Sequence, residues 1–158
     1  MVLVGKLSTE VGIKTSGDKF FKLFASEIHE LQNICGSVHE TKLHEGEEWH
    51  HSDSVKHWTH ILDGKVQTCH ESFEEIDEKN KKIVHKIFGP DIDKDYKIFK
   101  LIIEVFDKDD GGANVKWTAE YEKINEDINP PYGWLEYVGK CTRDIDAHFV
   151  KEAARLAP

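Results

Sequence analysis

Three things are scarce in this chain, and each scarcity excludes something. Cysteine is the first. Cys35, Cys69 and Cys141 are odd in number, widely spaced and form no CxxC pair. That excludes a disulfide framework and points to a reducing compartment, the cytoplasm. Long apolar runs are the second. No stretch approaches the roughly 20 apolar residues that a membrane span needs. The opening Met1-Val2-Leu3-Val4-Gly5-Lys6 is too short an apolar run for a secretory signal core. Positive charge is the third. Lys and Arg number 21 against 30 Asp and Glu, a net charge of −9. Nucleic acid and anionic membrane are therefore excluded as expected partners, since neither presents a positive surface.

What is present fits an ordinary globular chain. Its 158 residues are 39% apolar and 32% charged. A chain of this size buries about 70% of the surface its unfolded form exposes, so residues 1–158 read as one domain. Histidine is abundant, at 10 residues. Protonating all ten would raise the net charge from −9 to +1, so the surface field should weaken strongly as pH falls from 7 to 5.

Local patterns set out the elements. Leu7, Thr9, Val11 and Ile13 alternate with polar residues, which predicts a first strand. Ser16 is placed to cap a helix carrying Asp18 in its first turn and Phe20, Phe21, Leu23 and Phe24 at helical spacing. Ser26 is placed to cap a second short helix with the stripe Ile28, Leu31, Ile34 and Cys35, ended by Gly36 in the left-handed conformation. Strand patterns follow: Val38 to Glu45, Ser54 to Leu62, Lys65 to Phe73, Lys82 to Phe88, Tyr96 to Phe106 and Asn114 to Lys123. Asp63-Gly64 between two alternating runs is a strong hairpin signal. Gly89-Pro90-Asp91 breaks the chain, and Asn129-Pro130-Pro131 stops the last strand. Trp134, Val138, Cys141, Ile145 and Phe149 then form one stripe on a long final helix. Consecutive hairpins imply an antiparallel sheet with one face to a core. A curved sheet around a helix leaves a concave gap, the default place for a ligand.

Several motifs in this order carry a resemblance: Val4-Gly5-Lys6-Leu7, Asp63-Gly64-Lys65, Asp91-Ile92-Asp93-Lys94-Asp95-Tyr96, Lys116-Trp117-Thr118-Ala119-Glu120-Tyr121-Glu122-Lys123 and Thr142-Arg143-Asp144-Ile145-Asp146-Ala147-His148. Across essentially the whole chain they resemble the plant major latex protein branch of the Bet v 1 (pathogenesis-related class 10) superfamily. The resemblance implies an α+β helix-grip fold: a seven-stranded curved antiparallel sheet around a long C-terminal helix, with two short N-terminal helices and a large cavity. It implies that the chain carries or stores a small hydrophobic metabolite, of sterol, hormone, flavonoid or alkaloid type, in a cytoplasmic, defence-related role. One departure stands out. Where relatives carry a glycine-rich loop, this chain keeps only Gly46 between His44 and Lys56 and places Asp53 where another glycine is expected. No phosphate cradle can be argued from that segment.

Candidate ligand-binding residues follow partly from alternation and partly from the resemblance. In the third strand Lys56, Trp58 and His60 share one parity, while Val55, His57, Thr59 and Ile61 share the other. Ile61 and Trp58 argue in opposite directions, and the resemblance places Trp58 and His60 on the cavity side. The same register extends to Thr68 and Glu71, Ile83 and His85, and Leu101 and Ile103. Phe24 and Ile28 close one end. Tyr137, Val138 and Cys141 form the floor. Trp58, Tyr137 and Ile103 can equally serve as plain core. His60, Glu71 and His85 are the informative candidates, since a polar group in an apolar cavity needs a partner or a ligand.

No catalytic residue, cofactor or metal is assigned. His44, His50, His51, His57 and His60 are close in sequence, but His57 and His60 point to opposite faces and no HxH or HExxH pattern is present. A histidine-rich loop is the plainer reading. An enzymatic alternative is an alkaloid isomerase or condensing enzyme. There His60 or His85 would act as acid or base, or Lys116 with Glu104 would match the lysine and acid of norcoclaurine synthases. Cys69 and Cys141 have no adjacent base and read as packing. A third class is a signalling module gated by the Phe88 to Asp91 loop. The residues identify no protein partner.

Overall fold

The structure is a computed structural model that describes residues 3–46, 48–50 and 54–157. Strand β1 (Val4–Ile13) leads into helix α1 (Gly17–Ser26). A 3-10 turn over Ile28–Glu30 runs directly into one turn of α-helix, α2 (Leu31–Ile34). Then come β2 (Val38–Glu45), β3 (Val55–Leu62), β4 (Lys65–Asp77) and β5 (Lys82–Phe88). A short helix α3 (Pro90–Asp93) precedes β6 (Tyr96–Asp107) and β7 (Ala113–Lys123), and α4 (Tyr132–Leu156) closes the chain. The strands form one antiparallel sheet in the order β1-β7-β6-β5-β4-β3-β2, and α4 packs against it. This is the helix-grip architecture.

Local chemistry explains most of the boundaries. The Ser16 hydroxyl accepts from the Lys19 amide at 3.3 Å and caps α1. Asp63 and Gly64 both have positive φ, 51° and 76°, as a tight two-residue hairpin requires, and Leu62 pairs with Lys65 around them. Four sequence expectations need correction. Ser26 caps nothing: it is the last residue of α1, and the turn after Glu27 starts without a side-chain cap. Gly36 does not adopt the left-handed conformation; extended Cys35 has already ended α2. The Gly89-Pro90-Asp91 break is itself a one-turn helix, because Gly89 takes φ 115° and Pro90 fits the first helical position. Strand β4 runs past Phe73 to Asp77, with a bulge between Phe73 and Glu75.

Helix α4 is fastened firmly at its middle. Its buried stripe is Trp134, Val138, Cys141 and Ile145, with Phe149 half-buried. The Trp117 indole donates to the Thr142 hydroxyl at 2.8 Å, and that hydroxyl donates to the Val138 carbonyl at 2.7 Å. The Asp146 carboxylate accepts from the Thr15 hydroxyl at 2.6 Å and from the Thr15 amide at 2.9 Å. Charge-assisted bonds of this kind contribute about 1.5–3 kcal/mol. Among the described residues, no helix is long and apolar enough to cross a membrane.

Candidate functional site

An interior cavity lies between the sheet and the N-terminal half of α4. Its free volume is about 60 Å³. Phe24 of α1, Ile28 and Leu31 of the following turns and Val38 of β2 close one side. The sheet contributes Trp58 and His60 from β3, Cys69 and Glu71 from β4, His85 and Ile87 from β5, Leu101 from β6 and Trp117 from β7. Trp134, Tyr137, Val138 and Cys141 come from α4. The strand contributions follow from alternation. In β3 Lys56, Trp58, His60 and Leu62 are buried, while the residues between them are half-buried on the outer face.

Of the sequence candidates, Phe24, Ile28, Trp58, His60, Glu71, His85, Leu101, Tyr137, Val138 and Cys141 stand on the wall. Three do not. Thr68 has the opposite parity to Glu71. Its amide and hydroxyl instead donate to Asp91 Oδ2, at 3.0 and 3.3 Å, and hold the α3 loop. Ile83 and Ile103 face each other across β5 and β6 and are fully buried in solid core beyond the cavity. Leu31, Val38, Cys69, Ile87, Trp117 and Trp134 were not among the candidates. Parity carried the signal for Cys69, two residues from Glu71. The helical stripe carried it for Trp134. Trp117, Trp134 and Trp58 also explain why the cavity is small rather than large: bulky rings occupy the space.

The polar groups fall into two stations. Glu71 is the centre of the first. Its Oε1 accepts from the Trp58 indole at 3.3 Å and lies 3.8 Å from Lys56 Nζ; its Oε2 lies 4.0 Å from His85 Nε2. Lys56 is 0% exposed. Its ammonium sits 3.6 Å from the Phe73 ring centroid and donates to the Trp49 carbonyl at 3.2 Å. Burial pulls the Lys56 pKa down, and Glu71 opposes that shift. His85 Nδ1 is 3.0 Å from the Leu101 carbonyl. A carbonyl only accepts, so the proton sits on Nδ1 and the Nε2 lone pair of the neutral ring is left for the cavity. Burial lowers the His85 pKa. Lys56 was the group that residue type concealed: a lysine in a strand reads as solvated, although its parity matched Trp58.

His60 is the second station. It is 1% exposed, and its ring packs against Trp134 at 5.0 Å and Tyr137 at 4.9 Å between centroids. Its Nε2 has no hydrogen-bond partner among the described residues. Burial lowers its pKa to about 4, with Asp91 opposing. Tyr137 and Trp134 each separate the cavity from an outer groove. One groove, of about 450 Å³, runs along Ser37, Ile61 and Lys140; the other, of about 440 Å³, lies beside Asp91, Ile92 and Asn129.

The remaining candidates lie elsewhere. Lys116 pairs in register with Glu104 and Glu10, on the face of β7 opposite Trp117, so neither Lys116 nor Glu104 reaches the cavity. Burial raises the thiol of Cys69, and a contact with Cys141 raises that of Cys35, which keeps both protonated. His44, His57 and His70 gather on the outer face, with His44 stacked on His70 at 4.4 Å. Among the described residues no three His, Cys, Asp or Glu side chains are arranged to hold a metal. His50 Nε2 accepts from the Ile28 amide at 3.1 Å. His51 and Asp53 lie outside the described residues.

Comparison with known proteins agrees with this geometry. MLP-like protein 28 of Arabidopsis thaliana is 36% identical over 152 residues; the match covers 95% of this chain but 45% of that protein. The chain thus spans about half the length of the first curated relatives it matches. Major latex protein 146 of Papaver somniferum is 36% identical, covering 92% of this chain and 91% of its own length. The crystal structure of major latex-like protein 151 from Panax ginseng superposes with a TM-score of 0.86 at 33% identity, over 92% of this chain and 97% of that one. A norcoclaurine synthase shares the fold, with a TM-score of 0.80 at 13% identity over 97% of this chain and 98% of its own. The profile of the "Pathogenesis-related protein Bet v 1 family" matches residues 2–152, and the chain belongs to that family, with major latex proteins among its relatives.

Proposed function

We propose that this chain binds a small hydrophobic metabolite in the cavity under α4 and carries or stores it in the cytoplasm, in a stress or defence role. One observation supports the reading above the rest: a space under α4 with mostly apolar walls that also includes His60, Glu71 and His85 in its lining. Burial of apolar ligand surface contributes about 25 cal/mol per Å², and the polar groups orient what is bound. A free volume of about 60 Å³ is well below the usual ~300–1,000 Å³ of ligand pockets. Binding of a metabolite therefore requires the wall to yield. Tyr137 and Trp134 are the parts that border larger grooves, so the N-terminal end of α4 is the access side.

A second reading has its own support. His85 Nε2 and Glu71 Oε2, 4.0 Å apart beside Lys56, form a buried acid-base set. Such a set suits an isomerase that moves a proton within its substrate. Native mass spectrometry of the protein purified from its source tissue separates these readings. The carrier reading expects one retained small molecule, released unchanged. An empty protein that takes up no apolar probe contradicts it. A released molecule that the protein converts to an isomer favours the second reading.

A further inference from the structure

The two polar stations differ in how far the protein itself satisfies them. Glu71 has Trp58, Lys56 and His85 around it. His60 Nε2 has no hydrogen-bond partner among the described residues, and its ring neighbours Trp134 and Tyr137 supply faces rather than a partner for that nitrogen. A buried polar atom left without a hydrogen bond costs about 1–3 kcal/mol, and folded proteins leave few of them. Here the atom belongs to a residue on the cavity wall, at the end of the cavity that borders the outer grooves.

Resting on the carrier reading, we infer that His60 is the anchor for a single neutral hydroxyl on the ligand, so that the cavity selects an apolar alcohol or phenol over the matching hydrocarbon or acid. Charge decides the class. The His60 imidazole is held neutral by burial, with a pKa near 4. A neutral ring nitrogen presents one acceptor or one donor, and a hydroxyl answers either. A carboxylate would enter as an unpaired charge, which an apolar site resists. The nearby buried cation, Lys56, is not part of the wall and is already beside Glu71. An ammonium meets the same obstacle, because Lys56 offsets the Glu71 charge. A bare hydrocarbon fills the space and leaves Nε2 unsatisfied.

The test is calorimetric titration of the whole chain with three probes of one shape: 2-naphthol, naphthalene and 2-naphthoate. The wild-type protein should bind 2-naphthol about 10-fold or more tightly than naphthalene, with naphthoate weakest. His60→Phe should bind naphthalene and naphthol alike. A second readout needs no variant: in protein labelled with ¹⁵N-histidine, the His60 Nε2 resonance should move with naphthol and stay with naphthalene. Equal wild-type affinities, a preference that survives in His60→Phe, or a shift at His85 instead of His60 would each overturn the anchor while leaving the carrier reading standing. A folded wild-type protein that binds none of the three overturns both.

Discussion

His60 and His85 line one cavity, are 1% and 2% exposed, and are both pushed toward the neutral form by burial, yet they keep different company. His85 is fixed by the Leu101 carbonyl through Nδ1 and has Glu71 and Lys56 nearby. His60 is held by ring packing, and its Nε2 has no hydrogen-bond partner among the described residues. The difference separates two jobs that burial alone does not. A buried polar group hydrogen-bonded to the backbone and set beside charged neighbours serves the fold or a proton transfer. One whose need is unmet, on a cavity wall, serves whatever enters the cavity.

The largest effect should come from disturbing the satisfied station. Glu71→Gln leaves Lys56 buried without its counter-charge. It should cost about 3 kcal/mol or more in denaturant unfolding. Adding Lys56→Met should recover much of that loss, because the orphaned charge is then gone. If Glu71→Gln costs less than 1 kcal/mol, Lys56 and Glu71 are not energetically coupled.

Acid should expose His60 next. Its folded pKa of about 4 lies below the ordinary 6.5. The unfolded chain therefore takes up a proton that the folded chain refuses. Stability attributable to His60 is intact above pH 6.5 and falls as pH drops toward 4, by about 3 kcal/mol in all. His85 acts with the same sign. The difference in unfolding free energy between wild type and His60→Phe, followed from pH 7 to pH 4, should change by that amount. A difference independent of pH would mean that His60 is not held neutral.

A further unmatched group can be made on purpose. Thr142→Val removes the acceptor of the Trp117 indole at the middle of α4. It should cost about 1–3 kcal/mol. The smallest effect belongs to the outer face. Lys116→Met should change stability by no more than about 0.5 kcal/mol and leave 2-naphthol affinity unchanged, because Lys116 lies across the sheet from the cavity.

Much of this was legible in the residues, and the exceptions have physical causes. The Asp63-Gly64 turn, the strand succession and the Trp134 stripe were readable because each rests on local chemistry. Alternation separated His57 from His60. Thr68 was misplaced because its strand was joined to Glu71 without respecting the period of two. Ile83 and Ile103 have the right face but lie where the sheet is packed solid, a distinction that depends on position along the strand. Lys56 was concealed by its type. The size of the cavity depends on how three tryptophans fill space that the fold leaves open, which no spacing records. Nor does any spacing reveal that His60 Nε2 has no partner among the described residues, since that requires the neighbours to be in place.

Whether a ligand enters the space under α4 can be measured directly. The most direct measurement maps chemical-shift changes over the whole chain as 2-naphthol is added. With 2-naphthol in the cavity they concentrate on His60, Trp58, Trp117, Tyr137 and Val138. Changes confined to the outer face, around His44, His57 and His70, with the cavity residues unmoved, would contradict binding in the cavity.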